Sequence, residues 1–250
     1  MPKPTLYALD FDGVICDSAL ETSITGWKAA RHYLWPKMPE YIPAELIEQF
    51  KFVRPALETG YESILIVRLL FEGVSPDALL NDFPHRIESL IRRDQLDIEK
   101  LKQRFGSTRD HWIENDLSDW LAMNPLFPGV QKTLSSIDNK SCFIITTKQE
   151  RFVEQILLAN KIAIPPEQIF GLDRNISKQQ VLRQLQDEHP SHTIVFVEDR
   201  LPTLINVMND HDLKAIQLFL ADWGYNTAKD KQKAAELKLK QMGLNSFLST

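Results

Sequence analysis

A chain of 250 residues, 43% hydrophobic and 25% charged, is long and apolar enough to bury one large core or a core with an inserted module. Its 34 acidic against 29 basic residues, a net charge of -5, argue against general attraction to nucleic acid or anionic membrane. No stretch approaches the roughly 20 apolar residues of a bilayer span, the start has no secretory pattern, and Cys16 and Cys142 form no CxxC pair. These features predict a soluble, cytoplasmic chain with reduced thiols and no structural zinc.

In chain order, the first predicted element is a buried strand over Thr5 to Leu9, an apolar run that ends in Asp10-Phe11-Asp12-Gly13. From about Asp17 to Leu126 nothing reads as a strand. Helical spacing covers Ser18 to Trp35, Pro43 to Glu58, Tyr61 to Phe71, Pro76 to Ile91 and Ser107 to Met123, broken by Pro36, Pro39, Gly60, Gly73 and Gly106. This segment holds 13 Lys/Arg and 18 Asp/Glu, whereas the rest balances at 16 of each, so the whole net charge lies here. Four of the five tryptophans (Trp27, Trp35, Trp112, Trp120) also lie here, best explained by packing.

After Pro125, Pro128 and Gly129, strands are predicted over Ser141 to Thr146, Thr193 to Val197 and Lys214 to Leu220. Helices are expected over Glu150 to Asn160, Lys178 to Gln186 and Pro202 to Asn209, and a last one over Lys229 to Lys240 with a solvated lysine face. Strands alternating with such helices predict an α/β fold, a Rossmann-like parallel sheet with helices on both faces. The boundaries are a core of residues 1–16 and 127–250 and an all-helical insertion of residues 17–126.

Two aspartates two residues apart at the end of a buried strand suit phosphoryl chemistry. Hydrolysis of a phosphate ester needs a nucleophile in line with the leaving oxygen, a proton donor for that oxygen and positive charge on the equatorial oxygens. Asp10 and Asp12 supply the first two, and a turn at Gly13 lets their carboxylates diverge around one substrate. Taken alone, Thr146 reads as a strand end and Lys178 as a surface lysine at a helix start.

LDFDGVICDS resembles the first motif of the haloacid dehalogenase (HAD)-like hydrolase superfamily. FIITT ending at Thr146, Lys178 in RNISKQQVL, and VFVEDRLPT with Asp199 resemble its second, third and fourth motifs in order. LFPGV and the late Trp223 to Tyr225 (WGY) are similar to phosphoglycolate-phosphatase-like members with a helical cap. The resemblance implies a phosphatase with Asp10 as nucleophile, forming an aspartyl-phosphate, and Asp12 as acid and base. It further implies Mg²⁺ held by Asp10, the Asp12 carbonyl and Asp199, with phosphate bound by Thr146, Lys178 and the backbone at Phe11 and Thr147.

Three positions admit two roles each. The family commonly places a second acid four residues after the fourth-motif aspartate, where Thr203 stands here, so Glu198 is a candidate metal carboxylate or merely a loop acceptor. Lys148 either lines the phosphate site or points to solvent, and Arg54 either clamps a second anionic group or pairs with surface acids. Cys16 reads as packing. The resemblance implies a small phosphorylated metabolite as substrate, with a phosphomutase or a weakly catalytic phospho-ligand-binding protein as alternatives. The presence of Asp12 disfavours a true dehalogenase or a phosphonate-cleaving enzyme. The sequence does not specify an oligomeric state.

Overall fold

A computed structural model describes residues 3–249. The chain divides into two compact units, Ser18–Pro125 and the remainder on either side of it.

The flanking unit is built on a six-stranded sheet: β1 (Thr5–Leu9), β2 (Cys142–Ile145), β3 (Ile169–Phe170), β4 (Thr193–Glu198), β5 (Gln217–Ala221) and β6 (Lys240–Met242). The spatial order is β3-β2-β1-β4-β5-β6, with every neighbouring pair parallel. Leu9 lies opposite Ile144 on one side and Val197 on the other, so three strands end together. After β1 the chain fills one side of the sheet and then crosses to the other. That reversal opens a crevice beyond the carboxyl ends of β1, β2 and β4, where open α/β sheets bind ligands.

The Ser18–Pro125 unit is all helical: α1 (Ala19–Tyr33), α2 (Ala44–Val53), α3 (Glu62–Phe71), α4 (Pro76–Asn81), α5 (Phe83–Arg93) and α6 (Ile98–Ala122). Trp27, Phe50, Val53, Ile64, Val67, Leu90 and Phe105 share its core, and α3 is buried along most of its length. Trp27 and Trp120 are fully buried, in keeping with the packing expectation. At the centre, Glu21 (0% exposed) accepts two bonds from the Arg109 guanidinium (2.8 and 2.6 Å), one from Trp120 Nε1 (3.1 Å) and one from Thr25 Oγ1 (2.6 Å). Such multiple donation is what makes a buried carboxylate tolerable.

In the sheet unit, α7 (Val130–Ser136), α8 (Glu150–Ala159), α9 (Lys178–Glu188), α10 (Leu201–Asn209), α11 (Ala228–Glu236) and α12 (Leu244–Phe247) complete the fold. Leu6, Ala8, Phe143, Ile145 and Phe196 pack in one cluster with Val181, Leu182 and Leu185 of α9 and Leu204 and Val207 of α10. The intervening Leu9, Ile144 and Val197 are fully buried as well, so both faces of the sheet are covered.

Several boundaries depart from the sequence expectation. The strands β3 and β6, of two and three residues, are too short to register as apolar runs. The helix expected to reach Lys240 stops at Glu236, because Lys238 turns left-handed (φ 57°) and Lys240 pairs opposite Phe219 at the sheet edge. Pro43 to Glu58 gives way to a 3-10 turn at Arg54–Ala56 once Pro55 removes a donor. Pro76 to Ile91 breaks at Asp82, two residues before Pro84. In contrast, α6 runs through Gly106, where the sequence predicts a break. No helix among the described residues is long and apolar enough to cross a membrane.

Candidate active site

Asp10 follows β1 directly, and its backbone N–H donates to the Val197 carbonyl (3.0 Å), which ties the first residue past β1 to the end of β4. The chain then turns at once: Gly13 has φ +92°, and Ile15 and Cys16 both donate to the Phe11 carbonyl (2.9 Å). A Cβ at Gly13 would lie 2.0 Å from Asp199 Oδ2, and one at Gly224 would lie 2.3 Å from Asp199 Cβ. Two backbones therefore press against the Asp199 side chain, and only glycine permits the approach.

The residues that close the site come from three more elements. Lys178 is the first residue of α9, just after the Ser177 cap, where a capping box joins Ser177 and Gln180. A cation at a helix N-terminus opposes the macrodipole. Here the opposition is offset by two carboxylates, Asp10 Oδ1 and Glu198 Oε2, each 2.7 Å from Lys178 Nζ. Glu198, the last residue of β4, is 0% exposed and accepts from the Arg200 N–H with its other oxygen (3.0 Å). Asp199 Oδ2 accepts from the Tyr225 N–H (2.7 Å), and Asn226 Nδ2 donates to the Asp199 carbonyl (3.1 Å).

Thr146, directly after β2, is buried, and its Oγ1 accepts from the Lys148 N–H (3.1 Å). The Lys148 side chain is fully buried and its Nζ lies 3.0 Å from Asp12 Oδ1, so it points to the acidic pair and not to solvent. The half-buried Thr147 stands between them, and the Phe11 ring is fully buried, with Lys148 Nζ 6.0 Å from its centroid. Cys16 is buried, as packing requires. Arg54 belongs to the helical unit, where it is 5% exposed and donates from Nη1 to the Leu57 carbonyl (3.3 Å). It is thus not the surface residue that one reading expected.

The electrostatics of the cluster follow from burial. Asp10, Glu198 and Asp199 are buried, with ligand-capable oxygens all within 4.8 Å of one another. Burial pushes the Asp10 carboxyl up to about 7, against the downward pull of Lys178 and with a further push from Glu198. Lys178, although burial lowers it, is held above the ordinary lysine range by Asp10 and Glu198. Three buried carboxylates against one ammonium leave excess negative charge that a divalent cation would neutralise. All-oxygen donors of this kind fit Mg²⁺.

Sequence reasoning missed the supports around these groups. Tyr225 and Asn226 hold Asp199, and the Arg200 amide holds Glu198. WGY carried a signal for Tyr225 alone, as a resemblance without a role, and nothing singled out Asn226.

No family model matches the chain, and no curated protein matches it. Solved structures do. One from Clostridium acetobutylicum, described as a predicted phosphatase, superposes with a TM-score of 0.58 at 16% identity, covering 100% of this chain and 98% of that one. A haloacid dehalogenase-like hydrolase from Bacteroides fragilis gives 0.56 at 16%, covering 96% of each. A predicted phosphoglycolate phosphatase from Haemophilus somnus 129pt gives 0.54 at 16%, covering 92% of each. The fold of this chain is that of the haloacid dehalogenase-like hydrolases, in agreement with the resemblance carried by its four motifs.

Proposed function

We propose that this protein is a Mg²⁺-dependent phosphatase that hydrolyses a phosphate monoester of a small soluble metabolite through an aspartyl-phosphate. The observation that carries the reading is the buried cluster in which Lys178 bridges Asp10 and Glu198 beside Asp199. One carboxylate with an ammonium at 2.7 Å, at the mouth of a parallel sheet, is a nucleophile whose charge is balanced until phosphate arrives.

In this reading Asp10 attacks phosphorus. Asp12 gives a proton to the leaving alcohol and then takes one from the water that cleaves the acyl phosphate. Lys178, Thr146 and the amides of Phe11 and Thr147 bind the phosphoryl oxygens, and Lys148 orients Asp12 and contacts phosphate. Asp10, the Asp12 carbonyl, Asp199 and Glu198 would hold Mg²⁺, which supplies Lewis-acid neutralisation of the phosphoryl oxygens. The helical unit, Ser18–Pro125, is assigned the selection of substrate, and Arg54 a second anionic group of that substrate.

A panel of phosphorylated metabolites tests this reading. Turnover that needs Mg²⁺ and favours phosphorylated sugars, organic acids or nucleotide-like esters is expected. Preferential turnover of phosphoproteins would overturn the substrate class, and a folded protein inert on every ester would overturn the activity.

Glu198 has its own test. Glutamine keeps an acceptor for the Arg200 amide but removes one negative charge from the cluster, so Glu198→Gln is expected to weaken Mg²⁺ binding on the order of tenfold. The fold should be intact by circular dichroism. Unchanged Mg²⁺ affinity would remove Glu198 from the metal site.

A further inference from the structure

The helical unit holds chemistry that the proposed reaction does not use. Between the C-terminal half of α1 and the middle of α6 lies an open cleft of about 530 Å³, lined by Lys28, Arg31, Tyr33, Glu40, His111 and Trp112 among others. That volume lies in the range of small-molecule sites.

The cleft wall is built by a break in α6. Asp116 leaves helical geometry (φ -153°, ψ 81°), and its Oδ1 accepts from the Asp119 N–H (2.9 Å) and Ser118 Oγ (2.8 Å), restarting the helix. The restart brings Asp119 Oδ2 back to Trp112 Nε1 (2.8 Å). The indole N–H is thereby satisfied and the ring is fixed as an apolar wall, with Lys28 Nζ 3.3 Å from its centroid.

The two cations lining this wall, Lys28 and Arg31, have no ion-pair partner among the described residues, whereas Arg68, Arg86, Arg93 and Arg109 of the same unit all have one. The carboxylates whose field reaches Lys28 are Asp119, already bound to Trp112, and Glu21, already bound to Arg109. Partial burial lowers the Lys28 pKa, against the upward pull of Asp119 and Glu21. Arg31 spends only its Nε, on the Met38 carbonyl (3.3 Å). Two cations beside an aromatic wall attract an anion with a ring, and Glu40 at the rim offers an acceptor to a ring amino group.

We propose that this cleft binds a nucleotide, with Arg31 and Lys28 on the phosphate and the base against the exposed ring of Tyr33. The site lies wholly within the helical unit and is independent of the phosphatase reading. The test uses adenosine 5′-monophosphate as probe in the Asp10→Asn background, which removes turnover, with binding followed by tryptophan fluorescence and calorimetry.

Adenosine 5′-monophosphate is expected to bind at least tenfold more tightly than adenosine or inorganic phosphate alone. Arg31→Gln should raise its Kd tenfold or more, His111→Ala several-fold, and Arg31→Lys less than Arg31→Gln, all with unchanged circular dichroism. Absence of saturable binding, equal affinity for the three probes, or unchanged affinity in both Arg31→Gln and His111→Ala would overturn the proposal. Ester turnover by the unsubstituted protein is measured separately, so the two readings can fail independently.

Discussion

Asp10→Asn is expected to lower Mg²⁺-dependent turnover of an aryl phosphate by about 10⁴-fold or more, the scale on which loss of a covalent nucleophile is felt. The amide is nearly isosteric with the carboxyl, so the loss cannot be assigned to a cavity. It also has no negative charge to keep buried. Burial has already pushed the Asp10 carboxyl up to about 7, so its anion is disfavoured where it stands. Lys178 retains Glu198 as a partner at 2.7 Å in the variant. The metal-free variant should therefore melt no more than a few degrees below the parent, and no phosphoenzyme should form on mixing with substrate. Turnover within tenfold of the parent would make Asp10 a bystander and end the covalent reading.

The parts of this site that the sequence made legible are those in which local pattern and chemistry coincide. An apolar strand running into Asp10-Phe11-Asp12-Gly13 announces both a buried strand and a tight turn, and Gly13 indeed takes a left-handed φ of +92°. Thr146 and Lys178 became readable only because their segments resemble the superfamily's second and third motifs, in order after Asp10; a strand-end threonine and a helix-start lysine are common by themselves. What was illegible is held by contacts between residues far apart in the chain. Lys148 meets Asp12 across 136 positions, and Arg109 meets Glu21 across 88. No periodicity encodes those pairings. The missed strands β3 and β6 exist because a neighbouring strand offers its edge, which is a property of the sheet and not of the short segments themselves.

Lys178→Met separates the structural from the catalytic work of the cluster. The substitution removes the ammonium that touches two carboxylates and leaves Asp10, Glu198 and Asp199 buried together. Breaking a buried ion pair by deleting one partner costs about 3–5 kcal/mol, because the surviving charge is stranded. The cost should be near its maximum at neutral pH and above and shrink as acid protonates the carboxylates. Mg²⁺ should then do for the variant part of what Lys178 does for the parent. The expected result is a metal-free melting temperature well below that of the parent and a larger rise on adding Mg²⁺. Turnover should nevertheless stay depressed by about 10²–10³-fold even at saturating Mg²⁺, since charge at the metal does not replace a donor to the phosphoryl oxygens. Differential scanning calorimetry with and without Mg²⁺, alongside steady-state kinetics, measures both effects. Equal stability without metal would mean that the three carboxylates are not charged together in the folded protein. Full recovery of turnover with Mg²⁺ would reduce Lys178 to a counter-ion.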